Sequence, residues 1–215
     1  MQRYFHKELE EIRSKLILIG EKANEAGRLA VDGFLQSDLE KTQAAFDMDD
    51  AIDDLEVEID RDSVRYITLR APVSSDVRFI FVAIKASHDL ERAGDEAHSI
   101  SKRTRSILTR EGKVTETVAI EEMAQAAFTM MRDAMTALLE ENLELAKGIV
   151  ERDKLVDRLN KENYKRLSSS TKEGNGENNE ATTQIETILV SRSIERIADH
   201  AKNLAEEVIY LLTGE

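Results

Sequence analysis

Leu9, Ile12, Leu16, Ile19, Ala23, Ala26 and Ala30 recur at steps of three and four residues, the spacing that lays one apolar stripe along a helix. This first helix is expected to end at Gln36-Ser37-Asp38, where Ser and Asp are good N-cap types for the next element. A second helix then runs to about Arg70, with Ile52, Leu55 and Ile59 on its stripe, and Pro72 closes it. After Ser74-Ser75-Asp76 a third helix carries Ile80, Leu90, Gly94, Ala97 and Ser101 as far as the Glu111-Gly112-Lys113 turn. The plan then recurs, with helices near 115–140, 142–168 and 180–213. The stretch SSSTKEGNGENNE at 168–180 is the obvious loop, since Ser, Gly and Asn supply no buried face.

The recurrence is a duplication. One gapless shift of 104 residues carries Asp49 to Asp153, Asp53 to Asp157, Glu91 to Glu195 and Asp95 to Asp199, together with Phe34 to Leu138 and Leu55 to Leu159. It also carries Pro72 to Gly176, placing a helix breaker at the same point of each half. The expected fold is all-α, two tandem three-helix bundles of six long antiparallel helices, the first over 1–110 and the second over 114–215.

Composition agrees with an all-α reading and narrows the partners. The chain has one proline and nine glycines in 215 residues, so few positions force a helix to stop. Apolar residues make up 41% and charged residues 34%, enough for a packed core beneath a highly charged surface. The net charge of −13 repels nucleic acid and anionic headgroups, which argues against both as direct partners. No cysteine is present, so disulfides, thiolate metal sites and a cysteine nucleophile are excluded, and a reducing cytosol fits. The opening MQRYFHKELEE has no signal-peptide character, and FIFVAI at 79–84 is far too short to span a bilayer. The expectation is a soluble, intracellular protein.

The candidate chemistry lies in the four acidic pairs. Each is spaced i, i+4 and so shares one helix face, where like charges cost about 0.2–0.5 kcal/mol per pair. A hairpin folded at Pro72 brings Asp49 and Asp53 level with Glu91 and Asp95; a turn at Gly176 does the same for Asp153, Asp157, Glu195 and Asp199. At 100° per residue the pairs flank their core stripes in the same rotational sense, so they either face one another or both turn outward. If they converge, a cation relieves the repulsion, and hard oxygen donors favour Mg, Mn, Ca or Fe, with His200 as an added nitrogen donor in the second half. The ordinary alternative is solvated carboxylates paired with Arg92, Arg152 or Arg196.

These residues resemble a known family. Asp-x-x-x-Asp-x-Leu at 49–55, APVSSDVRFI, DLERAGDEAHSIS, DKLVDRL and the closing SIERIADHAKNLAEEVIYLLTGE are similar to the PhoU family of phosphate-signalling proteins, as is the opening RYFHKELEEI. The resemblance covers essentially the whole chain. It implies a cytoplasmic, non-enzymatic accessory regulator of the high-affinity phosphate transporter that represses the phosphate-starvation response when phosphate is plentiful. It implies an adaptor between the ATP-binding subunit of a phosphate ABC transporter and a sensor histidine kinase. The membrane is met only through those partners, and homodimer formation is left open. By motif, the implied ligands of divalent or trivalent metal ions (Fe, Mn, Mg or Zn) are Asp49, Asp53, Glu91, Asp95, Asp153, Asp157, Glu195 and Asp199. The halves differ at Glu96 and Ser99 against His200 and Asn203, so the two sites need not hold the same metal.

Other features carry less. Asp95-Glu96-Ala97-His98 spells a helicase signature but lies mid-helix in a chain without a P-loop. A carboxylate-bridged di-iron enzyme is the rival from another class, although no Glu-x-x-His is present. His6, His88 and His98 have no counterpart at the duplicated positions and read as surface or packing residues. Met130, Met131 and Met135 read as core gap fillers. The basic run SKRTRSILTREGK at 101–113 reads as a solvated helix end with the capacity to dock an acidic patch.

Overall fold

The computed structural model describes residues 2–173 and 178–214, with side chains described for 7–169 and 181–214. Among the described residues seven helices follow one another: α1 (Gln2–Gln36), α2 (Leu39–Phe46), α3 (Asp49–Arg70), α4 (Ser74–Glu111), α5 (Ile120–Glu140), α6 (Leu143–Glu173) and α7 (Asn178–Thr213). No strand occurs among the described residues, and no helix among them is long and apolar enough to cross a membrane.

The stripe read from the sequence is the core face of α1, with Ile12, Leu16, Ile19, Ala23, Ala26 and Ala30 all buried. It packs against α3 and α4 to form the first bundle, while α5, α6 and α7 form the second. The bundles are joined laterally, α4 lying along α7 and α1 along α5. A Cβ on Gly20 would stand 2.9 Å from the end of the Met135 side chain, so α1 and α5 meet closely at their seam. Met130, Met131 and Met135 are all buried, as gap fillers should be.

Three boundaries differ from the sequence expectation. The second helix does not run unbroken to Arg70: it divides at Asp47–Met48 into α2 and α3. The division puts Asp49 and Asp50 in the first turn of α3, where the positive end of the helix dipole favours carboxylates. At the duplicated positions Glu151 and Arg152 lie inside the unbroken α6. Second, α5 begins at Ile120 rather than near 115, because the β-branched run Val114-Thr115-Glu116-Thr117-Val118 is poor helix material. Side chains secure that linker instead, Ser37 Oγ accepting from the Val114 N–H and Asn163 Oδ1 from the Ala119 N–H. Third, the loop expected at 168–180 is largely helical, α6 extending to Glu173 and α7 starting at Asn178; the expected hinge at Gly176 lies outside the described residues.

The turn between α3 and α4 is as read. Ala71 is left-handed (φ 45°), Pro72 follows, and Val73 is extended before α4. Several large apolar side chains near this turn are exposed: Val64, Ile67 and Leu69 on α3, Val73 in the turn, and Val77 and Phe81 on α4. The duplicated positions carry Ser168, Thr171, Glu173, Glu177, Ala181 and Ile185, so the fold itself does not demand apolar residues there.

Candidate functional site: two acidic clusters

The acidic pairs of each bundle influence one another's carboxyls across the helix pair. In the first bundle, burial holds the Asp53 carboxyl above its ordinary range, and the charges of Asp49 on its own helix and Asp95 on α4 push it further. Burial likewise raises Glu91, reinforced by Asp95 and by Asp53 across the helix pair. Asp49 is raised by burial and by Asp95, against the opposing influence of His98. In the second bundle, burial raises Glu195 and Asp199; Asp157 adds to both, and Asp153 adds to Asp199. The pairs of each bundle therefore lie near enough across α3–α4 and across α6–α7 to feel one another's charge.

Close helix contact sets the separation. At the level of the first cluster, a Cβ on Gly94 would stand 3.0 Å from Ile52 Cδ1, so glycine lets α4 approach α3. The second bundle has Ala198 and Val156 there, both fully buried. A methyl group has in effect crossed the interface, from the α3 side to the α4 side. Because Ile52 and Val156 fill the bundle centres, the carboxylates lie on the flanks of the core.

Of the three arginines that offered an ordinary account of the pairs, Arg92 alone turns to its cluster, with Nε 3.3 Å from Glu91 Oε2 and Nη1 2.9 Å from Asp95 Oδ2. Arg152 bonds Asp133 on α5, and Arg196 reaches Glu96 on α4. His200 is also not where the sequence suggested. Its Nδ1 lies 2.9 Å from Asp89 Oδ1 on α4, an oxygen that also accepts from Asn203 Nδ2, so the His and Asn of the closing motif clamp one bundle to the other.

Two residues were undervalued in the sequence. His98, expected as a packing residue, stacks on Phe46 and places Nδ1 2.8 Å from Asp49 Oδ2. Lys202 stands at the duplicated position and donates to Asp153 Oδ2 at 2.9 Å. Each cluster thus has its first carboxylate met by a nitrogen from the last helix of its bundle. His88 lies at the rim of the first cluster, 3.9 Å from both Glu56 and Glu91, and the His6 side chain lies outside those described. The basic run at 101–113 is partly used internally: Arg103 bonds Glu186, Arg105 bonds Gln43 and lies over the Phe46 ring, and Arg110 bonds Thr183.

The donors suit a hard cation. They are oxygens, the carboxyls of Asp49, Asp53, Glu91, Glu195 and Asp199 are raised by burial and by neighbouring carboxylates, and the buried Glu91 Oε2 receives no hydrogen bond, only the Arg92 guanidinium beside it. Among the described residues no three Asp, Glu or His side chains converge closely enough to hold a metal as they stand. The clusters are gathered but not closed around a point.

Comparisons with known proteins cover the chain from end to end. The family model described as "PhoU domain" matches twice, at residues 16–104 and 120–208, with the same displacement that superposes the acidic pairs. The "Phosphate-specific transport system accessory protein PhoU homolog" of Pseudomonas putida is 32% identical over all of this chain and 82% of its own length. The Clostridium acetobutylicum protein of that name is 31% identical over 96% of its length. A crystal structure of PhoU from Pseudomonas aeruginosa superposes with a TM-score of 0.92 at 33% identity, covering 98% of this chain and 100% of that one. The phosphate transport system regulatory protein PhoU from Streptococcus pneumoniae, 24% identical, shares the fold with a TM-score of 0.89. With two family domains, the acidic pairs recurring in both, and relatives matching over its whole length, the chain belongs to the PhoU family.

Proposed function

We propose that the protein is a cytoplasmic negative regulator of high-affinity phosphate uptake and of the phosphate-starvation response, working as an adaptor rather than as an enzyme. It holds the ATP-binding subunit of a phosphate ABC transporter and a sensor histidine kinase together, keeping the kinase from activating its response regulator while phosphate is plentiful. The observation that carries this reading is the full-length, two-repeat match to proteins named as accessory to phosphate-specific transport.

Hard metal ions bind at the acidic clusters in this reading, through Asp49, Asp53, Glu91 and Asp95 and, in the second bundle, through Asp153, Asp157, Glu195 and Asp199. A bound cation would neutralise charge that burial makes costly. The exposed apolar surface beside Pro72 supports the adaptor role.

The test is a phosphate-starvation reporter in a strain lacking the gene. The reporter is expected to be active in phosphate-rich medium, to be silenced by the wild-type chain, and to stay active with Asp53→Asn/Asp157→Asn. Failure of the wild-type chain to silence it would remove the regulatory reading; silencing by the double variant would remove the metal from the mechanism.

A further inference from the structure

Under the same displacement that relates the acidic pairs, one place in the two bundles is built of opposite chemistry. In the first bundle it carries Ile12, Phe79, Ile80 and Ala83, all buried and all hydrocarbon. The corresponding residues of the second are Glu116, Thr183, Gln184 and Thr187. Thr183 is 6% exposed, Gln184 8% and Thr187 0%, so three polar side chains are buried where the repeated unit otherwise puts apolar ones. Burial of polar groups costs free energy unless they are hydrogen-bonded, and the first bundle shows that the fold does not ask for them. The backbone differs as well: Ile12 lies within α1, whereas Glu116 lies in the linker between α4 and α5.

The second bundle has a cavity of about 350 Å³ at this place, lined by Glu111, Thr115, Glu116, Thr183, Gln184 and Thr187. That volume is in the range of small-molecule sites. Glu111 comes from the end of α4, Thr115 and Glu116 from the linker, and the three buried residues from α7. The wall is therefore acidic on the α4 and linker side and neutral along α7. Little within the chain offsets the two carboxylates. Glu111 has the guanidinium of its neighbour Arg110 at 3.7 Å, too far for a hydrogen bond, and Glu116 has no ion pair among the described residues. Thr183 Oγ1 accepts from Arg110 Nη2 at 3.3 Å, and Thr187 Oγ1 donates its proton to the Thr183 carbonyl at 3.0 Å, which leaves the Thr187 hydroxyl oxygen able to accept. No aromatic ring, lysine or arginine is among the lining residues.

We propose that this cavity between the end of α4, the linker and α7 binds a small aliphatic ammonium ion of the diamine class. An ammonium group brings three donors and no acceptor, and the wall offers it two carboxylates, three hydroxyl oxygens and an amide oxygen. An anion would meet two carboxylates instead, and an aromatic cation would find no ring to stack on. Two ammonium groups a few carbons apart match the charge of Glu111 and Glu116, and the methylenes between them suit a wall rich in threonine methyls. Because the wall joins the last helix of the first bundle to the linker and to α7, the bound diamine fastens the linker in place. The inference is independent of the acidic clusters and of the adaptor reading.

The test titrates 1,4-diaminobutane into the full chain by calorimetry at about 0.15 M salt, where weak attraction to the acidic surface is screened. Hydrogen exchange of residues 112–119 is followed alongside. The wild type is expected to bind one equivalent saturably and to slow exchange of the linker amides. Glu116→Gln should weaken binding at least about tenfold, the usual effect of losing a charged hydrogen-bond partner. Thr183→Phe/Gln184→Ile, which installs the residues of the first bundle, should abolish binding while circular dichroism shows the helices intact. 1,4-Butanediol and succinate, the neutral and dianionic counterparts of the probe, should not bind. Absence of saturable binding to the folded wild type would overturn the proposal. So would undiminished affinity in folded Glu116→Gln, which would put the diamine elsewhere on the acidic surface, or binding of 1,4-butanediol as tight as that of the diamine. Displacement of the diamine by Mg2+ at equal concentration would overturn it in favour of a hydrated inorganic cation.

Discussion

At the scale of single residues, the Ile52–Gly94 contact and its counterpart Val156–Ala198 show how little room the helix pairs leave. A methyl group added at Gly94 would lie 3.0–3.1 Å from the Ile52 side chain. Gly94→Ala is therefore expected to destabilise the fold by about 1–3 kcal/mol, the usual cost of overpacking. Adding Ile52→Val should return most of the loss, because that pair is the one the second bundle uses; denaturant midpoints of the single and double variants would check it. The same comparison explains what was legible at this scale. The eight carboxylates and their levels could be read because identical or similar residues recur at one displacement. The pairing of His98 with Asp49 was missed because its counterpart is a lysine, and a search for matching histidines passes over it. Comparing every charged position under the same displacement, regardless of type, would have found it.

At the scale of elements, the repeats differ where the second helix of each unit begins. Periodicity reveals a helix but not a break that contains neither Gly nor Pro, and Asp47–Met48 has no breaker of that kind. Periodicity similarly understates α6, since the polar run after Ser168 supplies no apolar stripe although its backbone remains helical to Glu173. The linker from α4 to α5 is held by a contact invisible to patterning, the Asn163 amide. Its oxygen accepts from the Ala119 N–H and its nitrogen donates to Ser191 Oγ, which donates onward to Asn160. In the first bundle the equivalent position is the buried Ile59. Asn163→Ala should cost about 1–3 kcal/mol by leaving a buried amide and hydroxyl without their partner. Hydrogen exchange should localise the change to the Ala119 amide and the start of α5.

At the scale of the whole molecule, two acidic clusters inside a chain of net charge −13 give the stability a definite pH dependence. Asp49, Asp53, Glu91, Glu195 and Asp199 all have carboxyls raised by burial. The native state thus takes up protons ahead of the unfolded chain as the pH falls, and these groups add stability as the pH falls from neutrality toward the usual 4.5 of a glutamate and 3.8 of an aspartate. Glu8, held low by its hydrogen bonds to Arg70, acts with the opposite sign below that value. The Tm of the metal-free protein is expected to rise from pH 7 to about pH 5 and then fall, and saturating Mn2+ should flatten the rise. A Tm that only falls on acidification would contradict the assigned repulsion.

The proposed adaptor role also belongs to this scale, because it would need a surface that the fold itself does not use. Phe81→Glu, placed on the exposed apolar face beside Pro72, should leave helicity unchanged and weaken partner capture. The most direct measurement is an affinity purification of the full chain from phosphate-replete cells, with the co-purifying proteins identified by mass spectrometry and bound metals counted in the same eluate. The account predicts that a phosphate-transporter ATPase and a sensor kinase are recovered with the metal-loaded protein. Recovery of metal-loaded protein with neither partner would contradict the adaptor and return a metal-dependent enzyme to consideration.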